Sequence, residues 1–146
     1  MAKMIVGVLP LVLLAVIMAA EAGEAAKPGF APGQMWSIKS ELPNTTKIIV
    51  GRVEAWNRTI AVHVSMVDVP IPAGVPDAGQ TMRIEHAPFE QSALTASVDH
   101  LIGTGVPPNS GFESCYDEWR TAQGGIYTIS VQEALAAMFE TLARGR

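Results

Sequence analysis

The chain has 146 residues, 49% of them apolar, with 10 Lys+Arg against 14 Asp+Glu and a formal net charge of −4. That length suits one ordinary domain, and the acidic balance, with no basic footprint for a phosphate backbone, argues against nucleic acid as a partner. A single cysteine, Cys115, excludes an intramolecular disulfide and a cysteine-built zinc site, so the fold rests on its core.

The apolar residues are concentrated at the N-terminus. Lys3 precedes an uninterrupted apolar or small stretch over residues 4–20, which gives way to Glu21, Ala22, Gly23 and Glu24. Basic, then apolar, then small is the order of a secretory signal peptide, and Ala20-Glu21-Ala22 places small residues around a cleavage point. We expect cleavage after Ala22, hence a signal peptide over residues 1–22. The alternative is a retained anchor. It is disfavoured because the stretch sits at the short end of the roughly 17–25 residues that a spanning helix needs and contains Gly7 and Pro10, both poor helix formers. Lipid attachment would need a cysteine just after the cleavage point, and Cys115 is far from it. The mature product is expected to be periplasmic or secreted, with no stable membrane insertion. Cleavage removes one cation and one anion, so the net charge stays at −4.

Residues 23–32, with Pro28, Gly29 and Pro32 among alanines, read as a flexible leader. A single domain is expected over residues 33–146. Alternation over 34–39 predicts a first strand with Trp36 and Ile38 on one side. A second strand over 46–56 contains Ile48-Ile49-Val50, a run that suggests burial on both faces. Asn57-Arg58 leads into a third strand over 59–67. There Ile60, Val62, Val64 and Met66 share one face, Thr59, Ala61, His63 and Ser65 the other, and the two strands should pair as an antiparallel hairpin. Pro70, Pro72 and Pro76 cannot join a ladder, so residues 69–79 read as a long loop before a fourth short strand over 82–86.

After Pro88 the period changes. Leu94, Val98, Leu101 and Ile102 predict a helix that stops at Gly103. Phe112, Tyr116 and Trp119 predict a second helix with an aromatic face, ended by Gly124-Gly125. A brief strand over 126–129 precedes a last helix, opened by the Ser130/Glu133 capping box and faced by Val131, Leu135, Met138, Phe139 and Leu142. Strands followed by helices predict an α+β domain: an N-terminal antiparallel sheet of about four strands with two or three helices packed on it.

Few residues point to chemistry. His63, on the polar face of the third strand, is a candidate general base or ligand in a cleft, a role that the unperturbed pKa of a histidine suits, although a solvated or hydrogen-bonded sheet residue explains it as well. His86 is in phase with Met82 and Ile84, which directs it toward the core. His100 falls near the end of the first predicted helix, where the dipole favours partial positive charge. The three histidines lack paired metal spacing, so no metal and no cofactor is expected. Gly103-x-Gly105 has neither the third glycine nor the preceding strand of a nucleotide loop. Ser92, Ser97 and Ser114 lack a Gly-x-Ser-x-Gly setting, and Cys115 reads as a half-buried apolar residue.

In the polar cluster Tyr116-Asp117-Glu118-Trp119-Arg120, Asp117 and Arg120 can pair as neighbours on a helix surface. Asp117 and Glu118 are the candidate carboxylate partners of His63. Trp36 reads as core. Trp56, at a turn, joins Trp119 and Arg120 as a candidate binding residue. Asn44-Thr45-Thr46 and Asn57-Arg58-Thr59 fit the glycosylation acceptor pattern, which matters only in a eukaryotic secretory route.

Six ordered blocks carry a resemblance: Gly33-Gln34-Met35-Trp36-Ser37-Ile38-Lys39, the run over 48–54, Val62-His63-Val64-Ser65, His86-Ala87-Pro88-Phe89, Tyr116-x-x-Trp119-Arg120, and Gly124-Gly125-Ile126-Tyr127-Thr128-Ile129-Ser130-Val131. Together they cover most of residues 33–143, and the chain resembles a family of small, uncharacterised, exported bacterial proteins. That family typically reads Gly-Gln-x-Trp-x-Tyr-Lys in its first block, where Ile38 here replaces an aromatic residue. The resemblance implies a bacterial origin and a shared fold. It transfers no catalytic residue, and it makes the two glycosylation patterns irrelevant.

These observations support three functional readings. The first is a non-enzymatic periplasmic module that binds a protein, a peptide or an envelope component. The second is a small periplasmic hydrolase using His63 with a carboxylate such as Asp117 or Glu118. The third is an inhibitor or immunity protein acting through the 69–79 loop.

Overall fold

The structure, a computed structural model, describes residues 29–145. The expected signal peptide and most of the leader lie outside the described residues. In chain order the elements are β1 (Met35–Ile38), β2 (Lys47–Trp56), β3 (Thr59–Pro70), β4 (Thr81–Glu90), α1 (Gln91–Ser97), β5 (Val98–Gly103), α2 (Phe112–Thr121) and α3 (Val131–Arg144). The strands form one sheet, ordered β4-β3-β2-β1-β5, with every neighbouring pair antiparallel. The architecture is α+β.

The main core lies on one face of the sheet. Ile48, Val50, Val62, Val64, Met66, Ala87 and Phe89 bury there against Leu94 of α1 and Val131, Ala134, Leu135 and Phe139 of α3. Ser130 caps α3 as its sequence pattern predicts, its Oγ accepting from the Glu133 N–H. α1 meets α3 through Ser97, whose buried hydroxyl donates to the Ala93 carbonyl at 2.7 Å and accepts from Val131 N–H at 2.9 Å. The second face is not open to water either: Ala61, His63 and Ser65 are all fully buried. What covers them is α2, seated by Phe112 and Tyr116.

Regular alternation holds only in part of the sheet. Val50 of β2 faces Val64, yet Arg52 faces His63, so Gly51 is one residue in excess and the ladder bulges there. Beyond it the phase reverses: Val53 reaches the main core, while Arg52, Glu54 and Trp56 turn to the α2 face. β4 does the same between Ile84, opposite Met66, and Ala87, opposite Val64. Glu85 and His86 both fill the interval that one residue would occupy, and both serve the α2 face. The carbonyls at this irregularity are taken up by the buried Asn109, whose Nδ2 donates to Met66 O at 3.0 Å and Ile84 O at 3.1 Å.

Several expectations are corrected. The helix predicted over Leu94, Val98, Leu101 and Ile102 ends at Ser97, and the remainder is β5, because β1 presents a free edge on which Leu101 pairs with Trp36 and Val98 with Ile38. His100 is therefore an exposed strand residue, three positions beyond the end of α1, bonded through Nδ1 to Ser37 Oγ at 2.8 Å. β3 and β4 are longer than predicted, and Val69 and Pro70 belong to β3. Ile60 is half-exposed at the end of its strand. Instead of a strand over 126–129 there is one bridge, Tyr127 to Phe89, since Ser130 already begins α3. The leader is packed at its end, where Phe30 meets Trp36 edge to face at 5.6 Å.

Phe112 seats on Gly51 because no side chain intervenes: a Cβ at Gly51 would lie 2.4 Å from Phe112 Cζ. With Phe112 fully buried, the ring has no free direction in which to retreat. Gly51→Ala is expected to cost about 2–3 kcal/mol through overpacking. Urea unfolding checks this, and the cost should shrink when Phe112→Leu is combined with it.

Candidate functional site

The α2 face holds a continuous hydrogen-bonded chain drawn from four elements. His86 Nε2 of β4 lies 2.9 Å from His63 Nδ1 of β3; His63 Nε2 lies 2.8 Å from Glu54 Oε1 of β2; and the Tyr116 hydroxyl of α2 donates to Glu54 Oε2 at 2.9 Å. Donor and acceptor roles follow from chemistry. A carboxylate only accepts, so His63 carries its proton on Nε2 and offers the Nδ1 lone pair. His86 then donates from Nε2 and keeps a lone pair on Nδ1. Every proton points toward Glu54, and the chain ends at His86 Nδ1.

Aromatic rings enclose the chain. The two imidazoles lie edge to edge and nearly coplanar, 14° apart with centroids 5.1 Å apart, and Tyr116 and Trp119 meet His63 edge to face at 4.9 and 4.7 Å. Phe112 closes on His86 at 5.6 Å. The Arg52 guanidinium lies over the Tyr116 ring at 4.1 Å, and its other end pairs with Glu113. Trp119 is held at its edge as well: Nε1 donates to Gly125 O at 2.9 Å, and a Cβ on Gly124 would approach the indole to 2.3 Å. Outside it lies Trp56, at 5.0 Å and tilted by 41°.

Burial governs the protonation of this group. His63 is fully buried, and desolvation pushes its pKa below the usual value even though hydrogen bonding and charge attraction from Glu54 pull the other way. His86 is lowered further, to about 4, first by desolvation and then by His63 beside it. Desolvation, followed by donation to Glu54, raises Tyr116 and keeps its hydroxyl protonated. Only one proton fits between two ring nitrogens 2.9 Å apart. An added proton therefore goes to His86 Nδ1 or breaks the chain.

The sequence candidates are placed as follows. His63 is the centre of the chain, buried rather than solvated. Its carboxylate is Glu54; Asp117 and Glu118 are exposed on the outer side of α2. Trp56 and Trp119, far apart in sequence, come together, each part-buried, while Arg120 is exposed next to Trp119. Contrary to its strand phase, His86 is on the His63 side, because the β4 bulge reverses that phase. Sequence reasoning missed Glu54 and Tyr116 as His63's surroundings, and the signal that could have found Glu54 is Gly51, a glycine inside a strand.

The 69–79 segment is tied down by Val75, which is buried, and by backbone bonds from Gly79 N to Ile71 O and Gln80 N to Asp77 O. Cys115 is a half-buried free thiol. Among the described residues no cluster of three or more His, Cys, Asp or Glu side chains could hold a metal ion, and the facing imidazole nitrogens are already engaged with each other. Comparisons with protein-family models, curated proteins and solved structures find no match.

Two outcomes follow from this geometry. In the unfolded chain a histidine titrates near 6.5, whereas His86 does so at about 4 in the fold, so between these values the unfolded state binds more protons. Its stabilising contribution is complete above pH 6.5 and is lost as pH falls toward 4, at about 1.4 kcal/mol per pH unit for each proton taken up on unfolding. Urea midpoints measured from pH 7.5 to 4 should fall over that window, and the fall should be shallower in His86→Gln, which keeps a donor for His63. Tyr116→Phe removes one donor to a part-exposed carboxylate and should cost about 1–2 kcal/mol in the same assay.

Proposed function

We propose that the protein is an exported, non-enzymatic binding module whose ligand-facing surface is the Trp56–Trp119 pair. The observation that carries this reading is the pair itself. Two part-buried indoles from the β2 turn and from α2 meet at 5.0 Å, whereas Trp36, the remaining tryptophan, is core. Large, rigid aromatic rings with a polar edge favour recognition surfaces because they offer contact area at low entropic cost. The exposed Arg120, next to Trp119 on α2, adds hydrogen-bond donors beside the pair. Such a surface suits a ligand with a flat apolar ring face and polar groups around it, the chemistry of a pyranose in an envelope glycan. Support for export is the order of Lys3, the apolar residues 4–20 and Ala20-Glu21-Ala22.

The hydrogen-bond chain beneath Trp119 then has a supporting role: it fixes Tyr116 and the histidines so that α2 presents Trp119 in one orientation. A second reading, an acid–base hydrolase, is favoured by that same chain. A proton accepted at His86 Nδ1 can be passed on through His63 to Glu54. In that reading Glu54, not Asp117 or Glu118, is the carboxylate partner of His63.

Titration of the protein with soluble glycan fragments of the envelope, followed by tryptophan fluorescence, separates the two. The binding module predicts a saturable spectral shift without turnover, and an affinity at least about tenfold weaker in Trp56→Ala. Turnover of the fragments that disappears in His86→Gln, with Trp56→Ala still active, would establish the hydrolase instead.

A further inference from the structure

Two cations from distant parts of the chain, Lys39 and Arg58, line one cleft beside α1. Its volume is about 620 Å³, within the roughly 300–1,000 Å³ range of small-molecule sites. α1 supplies the stripe Gln91, Ser92, Thr95 and Ala96, and the start of β3 adds Thr59 and the part-exposed Ile60. No acidic side chain contributes to the wall. In a chain of net charge −4, a cleft lined by cations alone stands apart from the average surface, and a concave wall of one sign concentrates its field on whatever enters.

The two cations are anchored but not neutralised. Lys39 is fixed by its backbone at the end of α1, where its N–H donates to Ser97 O at 2.8 Å and its carbonyl accepts from the Gln132 amide. Arg58 immediately precedes Thr59, whose hydroxyl donates to Glu90 just before α1 begins. Their main-chain positions therefore lie near opposite ends of a seven-residue helix, about 10 Å long at 1.5 Å per residue. Both residues are exposed, and among the described residues neither makes an ion pair, although Lys39 also borders the recess that holds Glu41. The hydroxyl protons of the wall are committed elsewhere: Thr59 and Ser92 donate to Glu90 Oε1 at 3.4 and 3.1 Å, and Thr95 to the Gln91 carbonyl at 2.8 Å.

We propose that this cleft binds a small organic dianion, with an anionic group at each end of an uncharged spacer, one end held by Lys39 and the other by Arg58. A guanidinium takes two oxygens of a carboxylate or a phosphate side by side, and an ammonium takes either as a point charge, so the two groups share the chemistry that recognises them. A ligand with a single anionic group would match one cation and leave the other unanswered. Ile60 and Ala96 offer the spacer apolar contact between the ends. Glu90, bonded to Thr59 and Ser92 but outside the wall, opposes an anion at the Arg58 end. The cleft shares no residue with the Trp56–Trp119 surface and does not depend on it.

Calorimetric titration of the purified protein at low ionic strength with suberate, 6-phosphonohexanoate and octanoate tests the proposal. Suberate should bind saturably and at least about tenfold more tightly than octanoate, which has the same length and one anionic group. Tighter binding of 6-phosphonohexanoate than of suberate supports the same site and makes one end of its ligand a phosphate; the reverse order supports it with a dicarboxylate. Lys39→Ala and Arg58→Ala should each weaken suberate about tenfold, Glu90→Gln should bind it at least as tightly as wild type, and added salt should weaken it. Arg83→Ala, which removes an exposed cation elsewhere, should leave the affinity unchanged. Absence of binding by both dianions, octanoate binding as tightly as suberate, suberate affinity unchanged in Lys39→Ala or Arg58→Ala, or an equal loss in Arg83→Ala would overturn the proposal.

Discussion

A β-strand shows alternate side chains to opposite faces, so one inserted residue reverses the facing of everything beyond it. Here that constraint acts twice. Gly51 carries Arg52, Glu54 and Trp56 across to the face that Ile49 began, and the Glu85–His86 interval brings His86 to the same side as His63. Without the first bulge Glu54 would project into the apolar core under α1 and α3. Without the second, His86 would follow Ile84 there. The chain Tyr116–Glu54–His63–His86 exists because both strands are irregular at the same level of the sheet.

The covering helix depends on these irregularities. Gly51 is the surface on which Phe112 rests, the Glu85 carboxylate accepts from Gly111 N–H at 2.7 Å just before α2 begins, and Asn109 occupies the carbonyls of Met66 and Ile84. α2 is thereby fixed at its start by polar contacts, in its middle by Tyr116, and at its end by Trp119 against Gly124 and Trp56. Two neutral imidazoles and one carboxylate beneath a helix are tolerable because each buried donor has an acceptor. The terminal nitrogen of His86, in a half-buried residue, is the place where this arrangement meets protons from outside.

Elements with a strong period and clear end signals were legible in the sequence: the β2–β3 hairpin, the aromatic face of α2, the Ser130 cap and apolar stripe of α3, and with them the α+β class. β5 was not, since Leu94, Val98, Leu101 and Ile102 satisfy a helical spacing while the open edge of β1 draws the last three into a strand. At the site, His63, Trp56 and Trp119 could be singled out by residue type and position. Their relations could not. The partner of His63 comes from a strand whose phase is reversed by a glycine, and the side of His86 is set by a bulge that no residue in β4 announces. Tyr116 was visible as one face of a helix, yet the atom it bonds belongs to a strand sixty-two positions away.

The direction of the protons in the chain is the central claim, and nitrogen-15 NMR of the imidazole rings at pH 7 measures it directly. The structure predicts that His63 and His86 are both neutral, both protonated on Nε2 and unprotonated on Nδ1, with the His63 Nε2 proton shifted downfield by its bond to Glu54 and returned toward normal in Glu54→Gln. A proton on Nδ1 of either ring, or an imidazolium at that pH, would contradict the account.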